Sequence, residues 1–408
     1  MFAPRRAALA SAVALVAGAP VLTGCTITTS ATPRVPGSVV IGLLAPTNDG
    51  TAVASRPAVQ GARLAVDVVN VAYPGLPLPL GASAGLARGS RISLVVADTK
   101  GDGETGGQAT DSLVRQAHPA GIVVADSADV VRTVSRHTED ALVPLVDAAA
   151  SADYLAELGH EWYFRIGPSD RMMLATALAA VRQGTPAARR VVVLDGAGGQ
   201  VLGGAPDLPD LAQARGFAVV ARLPLGVAGA GAAELADRVG AQRPDAVVAL
   251  AGTAAEAAAA GEVAQRLKGV PVVALGPGIN GAGADLRGVL CATGWSADFT
   301  SRNPVARAVG ELYRQRYGAP MNEAAANAFT SVLTLAVAVD KVGTTDTTAV
   351  RAALRQVDLS ATEIINPWDG VRFDTDGQNP LAGSVVEQWV GDGPRIAYPR
   401  ELAPRGAQ

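Results

Sequence analysis

The chain has 408 residues, of which 49% are hydrophobic and 17% are charged, and its formal net charge at pH 7 is −3. This composition is typical of a globular protein, and the slight acidity offers no basic face for nucleic acid. Two cysteines provide no disulfide framework. The chain is longer than the roughly 250 residues that one hydrophobic core organises, so we expect two lobes.

The N-terminal segment has the pattern of an export signal. Arg5 and Arg6 precede an uncharged apolar run, as in the basic and apolar regions of a signal peptide. The run ends in Leu-Thr-Gly before Cys25, which resembles the bacterial lipobox, where a cysteine after small residues receives lipid. We expect residues 1–24 to be a lipoprotein signal peptide and Cys25 to be the lipidation site; an ordinary secretory signal with a chance cysteine is the alternative. Residues 25–37, rich in Thr and Pro, predict a flexible tether.

From residue 38 the chain alternates apolar strands with amphipathic helices. The predicted strands of the first half are 38–46, 91–99, 120–126 and 143–149, and the predicted helices are 55–72, 104–117 and 128–140. Nearly continuous apolar strands separated by helices are typical of a parallel sheet covered on both faces. The Pro- and Gly-rich segment 74–90 predicts an exposed loop.

The same alternation restarts after residue 170. Strands are predicted at 189–196, 217–225, 245–252 and 270–276, and helices at 172–183, 205–215, 232–242 and 254–267. A second α/β unit of similar size favours a cleft between the two units. Ligands bind beyond the carboxyl ends of parallel strands, and this rule selects five loops, at 46–50, 125–129, 147–151, 195–199 and 252–256.

The order of several segments resembles a known family. The fragments VVIGLLAP, ISLVVADTKGD, VPLVDAAAS, YFRIGPSD and PWDGVRFDTDGQNP follow one another as in the leucine-binding-protein-like substrate-binding proteins of ABC transporters, over about residues 38–402. The resemblance implies an α/β fold with two Rossmann-like lobes, each with a parallel sheet, joined by a three-crossover hinge: the type I periplasmic binding fold. It implies crossovers near 166–168, 295–298 and 367–369, with lobe one formed by residues 38–167 plus 298–366 and lobe two by residues 168–297 plus 367–405.

The resemblance also implies a set of ligand-binding residues. Members that bind amino acids hold the ligand carboxylate with a hydroxyl and backbone N–H groups, and Ser127 and Ser151 match those positions. Ala149 would supply a carbonyl to the ligand ammonium. Glu256 matches an acidic residue that pairs with this ammonium in some members, and Thr253 lies in the same loop. Helix capping by serine and a first-turn glutamate favoured by the helix dipole are the simpler explanations.

Two departures from the family weaken a branched-chain amino acid assignment. Gly198 occupies the position of a tyrosine that stacks over the ligand in many members, and Asp126 and Asp129 flank Ser127, where a ligand carboxylate would bind. Two carboxylates there would repel an anion, so we expect a neutral or cationic solute, or else a degenerate pocket. Trp295, beside the second crossover, fits either the wall of the cleft or hinge packing.

The sequence gives no support to catalysis, metal binding or a cofactor. The three histidines are far apart, no Gly-x-Ser-x-Gly elbow is present, and the acidic turn at 98–104 lacks the EF-hand spacing. The glycines at 196–199 lack the third glycine of a dinucleotide fingerprint. Cys291 lies in an apolar strand and is expected to be an inert thiol. We therefore expect no enzyme activity, no metal and no cofactor.

Together these features predict a monomeric, lipid-anchored protein on the outer face of a bacterial membrane. It would capture a small polar solute, such as an amino acid or an amide, between its lobes and deliver it to an ABC permease after hinge closure. The alternative is a ligand-sensing or scaffold lipoprotein of the same fold, which has a degenerate pocket and signals to a membrane partner.

Overall fold

The computed structural model describes residues 37–47, 52–86, 89–196, 208–226, 231–279, 286–390 and 393–403. The predicted signal peptide, the predicted lipidation site Cys25 and Gly198 lie outside the described residues.

The first sheet has five parallel strands in the order β2-β1-β3-β4-β5. The strands are β1 (Ser38–Ala45), β2 (Arg91–Asp98), β3 (Gly121–Val124), β4 (Leu145–Asp147) and β5 (Tyr163–Arg165), and the helices between them are α1 (Ala52–Asn70), α2 (Gly103–Ala117) and α3 (Ala128–Asp140). A short 3-10 helix, Asp153–Leu158, precedes β5. The central strands β1 and β3 are buried along nearly their whole length, which explains their continuous apolar sequences.

The second sheet has seven strands in the order β14-β13-β10-β9-β8-β6-β7. Its parallel strands are β6 (Arg190–Asp195), β7 (Ala218–Pro224), β8 (Ala246–Leu250), β9 (Val272–Leu275) and β10 (Val289–Thr293), and its helices are α4 (Asp170–Gly184), α5 (Leu208–Ala214), α6 (Gly231–Ala241) and α7 (Ala254–Arg266). Two strands from the end of the chain, β13 (Val385–Val390) and β14 (Gly393–Tyr398), extend this sheet in antiparallel pairing.

Three further helices return to the first sheet: α8 (Pro304–Tyr317), α9 (Glu323–Val342) and α10 (Thr347–Leu354). Helix α9 shares the hydrophobic core of the first sheet with α1. The two helices cross closely, since a Cβ at Gly61 would lie 2.0 Å from the carbonyl oxygen of Ala325. By length and hydropathy α9 could cross a membrane, but 78% of its apolar window is buried inside the protein. Helix α9 is therefore a core helix.

The chain passes three times between the sheets, after β5, after β10 and before β13. A two-stranded hairpin, β11 (Asp358–Ser360) and β12 (Gly370–Arg372), precedes the third passage. Side chains tie the passages together: Asn379 Nδ2 donates to the carbonyl of Ile166 at 3.0 Å, and Trp368 Nε1 donates to the carbonyl of Gly294 at 2.9 Å. The predicted fold class is confirmed, whereas the exact boundaries of the lobes stay a prediction.

The prediction of an exposed loop at 74–90 is wrong for its leucines. Leu76, Leu78 and Leu86 are buried against the core that α1 and the first sheet form. Proline and glycine end the regular structure here, but the leucines between them are buried because exposing their apolar area to water would cost free energy.

Candidate functional site

A cavity of about 380 Å³ lies at the carboxyl ends of the parallel strands of the two sheets. Loops that follow β1, β3, β4 and β5 line it from the first sheet, and loops that follow β8 and β9 line it from the second. Four of the five loops selected from the sequence contribute lining residues; most of the fifth, at 195–199, lies outside the described residues. The carboxyl-edge rule for parallel sheets therefore located the cavity.

The loop between β3 and α3 brings Asp126 and Ser127 to the cavity. Ser127 is the N-cap residue of α3, but its hydroxyl makes no capping hydrogen bond. Its backbone N–H instead donates to Asp126 Oδ1 at 2.7 Å. Because helix capping does not use this exposed hydroxyl, the hydroxyl can bind a ligand, and ligand contact by Ser127 stays a prediction.

The loop after β4 is organised by the buried carboxylate of Asp147. Its Oδ1 accepts hydrogen bonds from the backbone N–H groups of Ala149 and Ala150, both at 2.9 Å, and its Oδ2 accepts one from the Tyr163 hydroxyl at 2.8 Å. Burial raises the pKa of Asp147 to about 6, although these hydrogen bonds favour the ionised form. The carboxylate thereby fixes the turn that carries the next cavity-lining residues.

Two predicted residues, Ala149 and Ser151, lie in that turn and line the cavity. The backbone carbonyl of Ser151 accepts from the N–H of Asp170 at 2.8 Å, which links the turn to the start of α4. The N-cap of the following 3-10 helix is Ala152, so capping does not occupy the Ser151 hydroxyl. The structure thus brings Ser127, Ala149 and Ser151 together at one cavity, and their roles stay predictions.

Thr253 and Glu256 are not among the described lining residues, although the neighbouring Gly252 is. The two side chains form a capping box at the start of α7: Thr253 Oγ1 accepts from the Glu256 N–H at 3.3 Å, and Glu256 Oε2 accepts from the Thr253 N–H at 3.1 Å and the Gly252 N–H at 2.8 Å. In this arrangement the Glu256 carboxylate accepts hydrogen bonds from backbone N–H groups at the start of α7. Ligand contact by either residue stays a prediction.

Trp295 is buried at the second passage between the sheets and is not among the described lining residues. Its Nε1 donates to the carbonyl of Met321 at 3.3 Å, and its ring packs edge-on against Phe299 with 6.4 Å between centroids. These contacts agree with hinge packing, the second of the two roles that the sequence allowed.

The electrostatics of the cavity are acidic. Asp126, Asp147 and Glu323 are among its lining residues, and none of its described lining residues is Lys, Arg or His. Burial raises the pKa of Asp126, while hydrogen bonds from Thr99 Oγ1 and from the Ser127 N–H act in the opposite direction. An anionic solute without a compensating cation would be repelled.

Some lining residues were missed in the sequence. Met173 of α4 and Ile279 after β9 add apolar wall on the side of the second sheet, and Glu323 and Asn327 of α9 add polar groups on the side of the first. A sequence signal existed for the last two, since they are polar residues four apart at the start of a mostly apolar helix. Residues at this spacing share one helix face.

A cavity lined from two sheets that the chain connects three times, at the carboxyl ends of their parallel strands, defines a two-lobed binding protein. A family model described as a periplasmic binding protein matches residues 38–393. The chain therefore belongs to the periplasmic binding protein family, whose members bind solutes outside the cytoplasm. The resemblance to leucine-binding-protein-like substrate-binding proteins of ABC transporters is confirmed.

Solved structures share this fold. An ABC transporter substrate-binding protein from Desulfitobacterium hafniense in complex with Leu is 19% identical, with a TM-score of 0.69 over 88% of this chain and 99% of that chain. The leucine binding protein LivK from Thermotoga maritima is 19% identical, with a TM-score of 0.69 over 88% and 97%. A solute binding protein from R. palustris in complex with benzoate is 17% identical, with a TM-score of 0.66 over 89% and 97%. At these identities the likeness shows the fold. A comparison with curated protein sequences finds no match.

Proposed function

We propose that this protein is an extracytoplasmic solute-binding protein that captures a small polar solute between its lobes and delivers it to an ABC permease. The observation that carries the proposal is the cavity of about 380 Å³ lined from both sheets. A solute there contacts both lobes, and a ligand favours a closed arrangement only through contacts that closure creates. The permease would recognise the closed form.

The cavity suits a small solute with a few polar groups. Its volume is at the lower end of the range for small-molecule pockets. Alanines form much of the wall, and serine hydroxyls and carboxylates supply the polar positions. The acidic lining favours a neutral, zwitterionic or cationic solute, such as an amino acid or an amide. Ser127, Ala149 and Ser151 would hold its polar head.

The same proposal includes the membrane anchor. Cys25 would carry the lipid, and residues 25–37 would tether a monomeric binding domain near its permease. A single acyl chain gives only marginal membrane binding, so durable attachment requires more than one chain.

A thermal-shift screen of the mature protein tests the function. Amino acids, amides, polyamines and aromatic acids would each be added at about a thousandfold excess over a micromolar dissociation constant, which stabilises a binding protein by about 4 kcal/mol. A clear melting shift with a neutral, zwitterionic or cationic solute is expected. No shift with any compound would refute solute capture.

Serine variants then test the site. Ser127→Ala and Ser151→Ala should each weaken the solute found by about 1 kcal/mol, or roughly fivefold, because each removes one hydrogen bond. Ser301→Ala is the matched control, since Ser301 is exposed and does not line the cavity. Equal affinities for the control and both cavity variants would contradict the assignment of this polar head site.

A further inference from the structure

One buried amide of the cavity has an unused hydrogen-bond donor. Asn327, the fifth residue of α9, is only 6% exposed, yet it lines the cavity. It is the only side-chain amide among the described lining residues. Its Oδ1 accepts a hydrogen bond, whereas its Nδ2 has no partner among the described residues. Nδ2 is also absent from the fully buried polar atoms that lack a partner, so this donor is accessible from the cavity.

A relay of two buried side chains fixes the direction of this amide. The Thr330 hydroxyl donates to Asn366 Oδ1, and Asn366 Nδ2 donates to Asn327 Oδ1 at 2.9 Å. Thr330 and Asn366 are 0% and 1% exposed, so water does not compete for these bonds. With Oδ1 held by the relay, Nδ2 is the part of the Asn327 amide that is left for the cavity.

The neighbouring backbone leaves room beside this donor. Gly167, which also lines the cavity, has no side chain, and a Cβ there would lie 3.6 Å from Asn327 Nδ2. A Cβ at this distance would be in van der Waals contact with the amide.

The charges nearby select the kind of atom that can bind there. Glu323 precedes Asn327 by one helical turn and lines the cavity on the same helix face, and Asp126 adds a further carboxylate to the lining. No described lining residue is cationic. An anionic oxygen would be repelled in this cavity, whereas an uncharged oxygen would accept the hydrogen bond without this penalty.

We propose that Asn327 is a ligand-binding residue that selects a solute with an uncharged carbonyl oxygen, and that Thr330 and Asn366 are positioning residues that aim its amide. This inference rests on the proposed function, because it requires a solute in the cavity.

The test uses probes that differ in one group. L-Glutamine would be compared with L-glutamate and L-norleucine, and butyramide with butyrate, by calorimetric titration of the mature protein. The carbonyl probes are L-glutamine and butyramide, and their carboxylate partners are L-glutamate and butyrate. In at least one of these two pairs the carbonyl probe should bind about tenfold more tightly than its partner, because it gains a hydrogen bond and avoids charge repulsion. Asn327→Asp replaces only Nδ2 by oxygen and keeps an acceptor for Asn366. It should remove this preference, with a loss of about tenfold or more for the carbonyl probe.

The positioning role has a matched pair of variants on one helix. Thr330→Val removes the first donor of the relay and should lower the ratio of carbonyl to carboxylate affinity severalfold, while Thr330→Ser, which keeps a hydroxyl, should restore it. Thr334→Val makes the same chemical change at another fully buried threonine of α9, whose hydroxyl has no hydrogen-bond partner and which does not line the cavity. It should leave the ratio unchanged. If Thr330 had a purely structural role, Thr330→Val would weaken the binding of all probes equally.

Each result decides between the two proposals. If the broad screen finds a solute outside this class, or if Asn327→Asp binds its probes as the folded wild-type protein does, the role of Asn327 is refuted and solute capture stands. If Asn327→Asp does not fold, Asn327→Ala replaces it under the same criterion. If no solute binds at all, both proposals fall.

Discussion

Asp147 makes the stability of this protein depend on pH in a defined direction. Burial raises its pKa from the ordinary 3.8 to about 6. Between these values the unfolded chain loses the proton while the folded protein keeps it, so the contribution of Asp147 is fully present below about pH 4 and is lost as the pH rises through 6. A change of this size corresponds to about 3 kcal/mol. Asp147→Asn should remove it, because an amide can accept from Ala149 and Ala150 and donate to the Tyr163 oxygen without a charge.

Urea unfolding at several pH values between 4 and 7.5, followed by tryptophan fluorescence, measures this difference. Relative to the wild-type protein, Asp147→Asn should gain about 3 kcal/mol in unfolding free energy as the pH rises across this range. Tyr163→Phe is the informative companion, because it removes the hydroxyl that favours the ionised carboxylate and should move the transition to higher pH. Parallel pH profiles for the wild-type protein and Asp147→Asn would refute the argument.

Three further predictions concern other parts of the molecule. Cys25→Ala should move the protein from the membrane fraction to the soluble fraction of the producing cells, and unchanged membrane attachment would disprove lipidation at this residue. Gly61→Ala would place a Cβ 2.0 Å from the Ala325 carbonyl oxygen and should lower the free energy of unfolding, measured in urea, by about 1–3 kcal/mol. A Cβ at Gly184, at the end of α4, would have nothing within 4 Å, so Gly184→Ala should be neutral or slightly stabilising. Burial, with help from the charges of Glu323 and Asp298, raises the pKa of Glu387 from 4.5 to about 7. The wild-type protein should therefore lose about 2 kcal/mol of unfolding free energy between pH 4.5 and 7.5, allowing for the partial exposure of Glu387, and Glu387→Gln should not show this loss. The same pH profile for both proteins would speak against this.

The fold was predictable where each segment carries its own signal. Strands such as β1 and β8 are buried on both faces, so their apolar runs marked them within a residue or two at each end. Helix α9 was not predicted, because its apolar run is buried nearly all round and shows little periodicity. The leucines of 74–90 were misjudged since their burial depends on a core built by residues far away in the sequence. Local composition carries no information about a core that distant residues form.

The site also has features that the local sequence predicts and features that depend on residues far away in the chain. The sheet rule located the loops because it depends only on strand direction, whereas the choice of Ser127 and Ser151 within them came from the family resemblance. The role of Glu256 depends on whether its carboxylate is already used, and the capping box at α7 that uses it is also a sequence pattern, Thr253-x-x-Glu256. Asn327 is different, because its free donor exists only through Asn366, 39 residues further along the chain. Spacing within one helix can place a polar residue at a cavity, but a long-range hydrogen bond decides which of its atoms the solute meets.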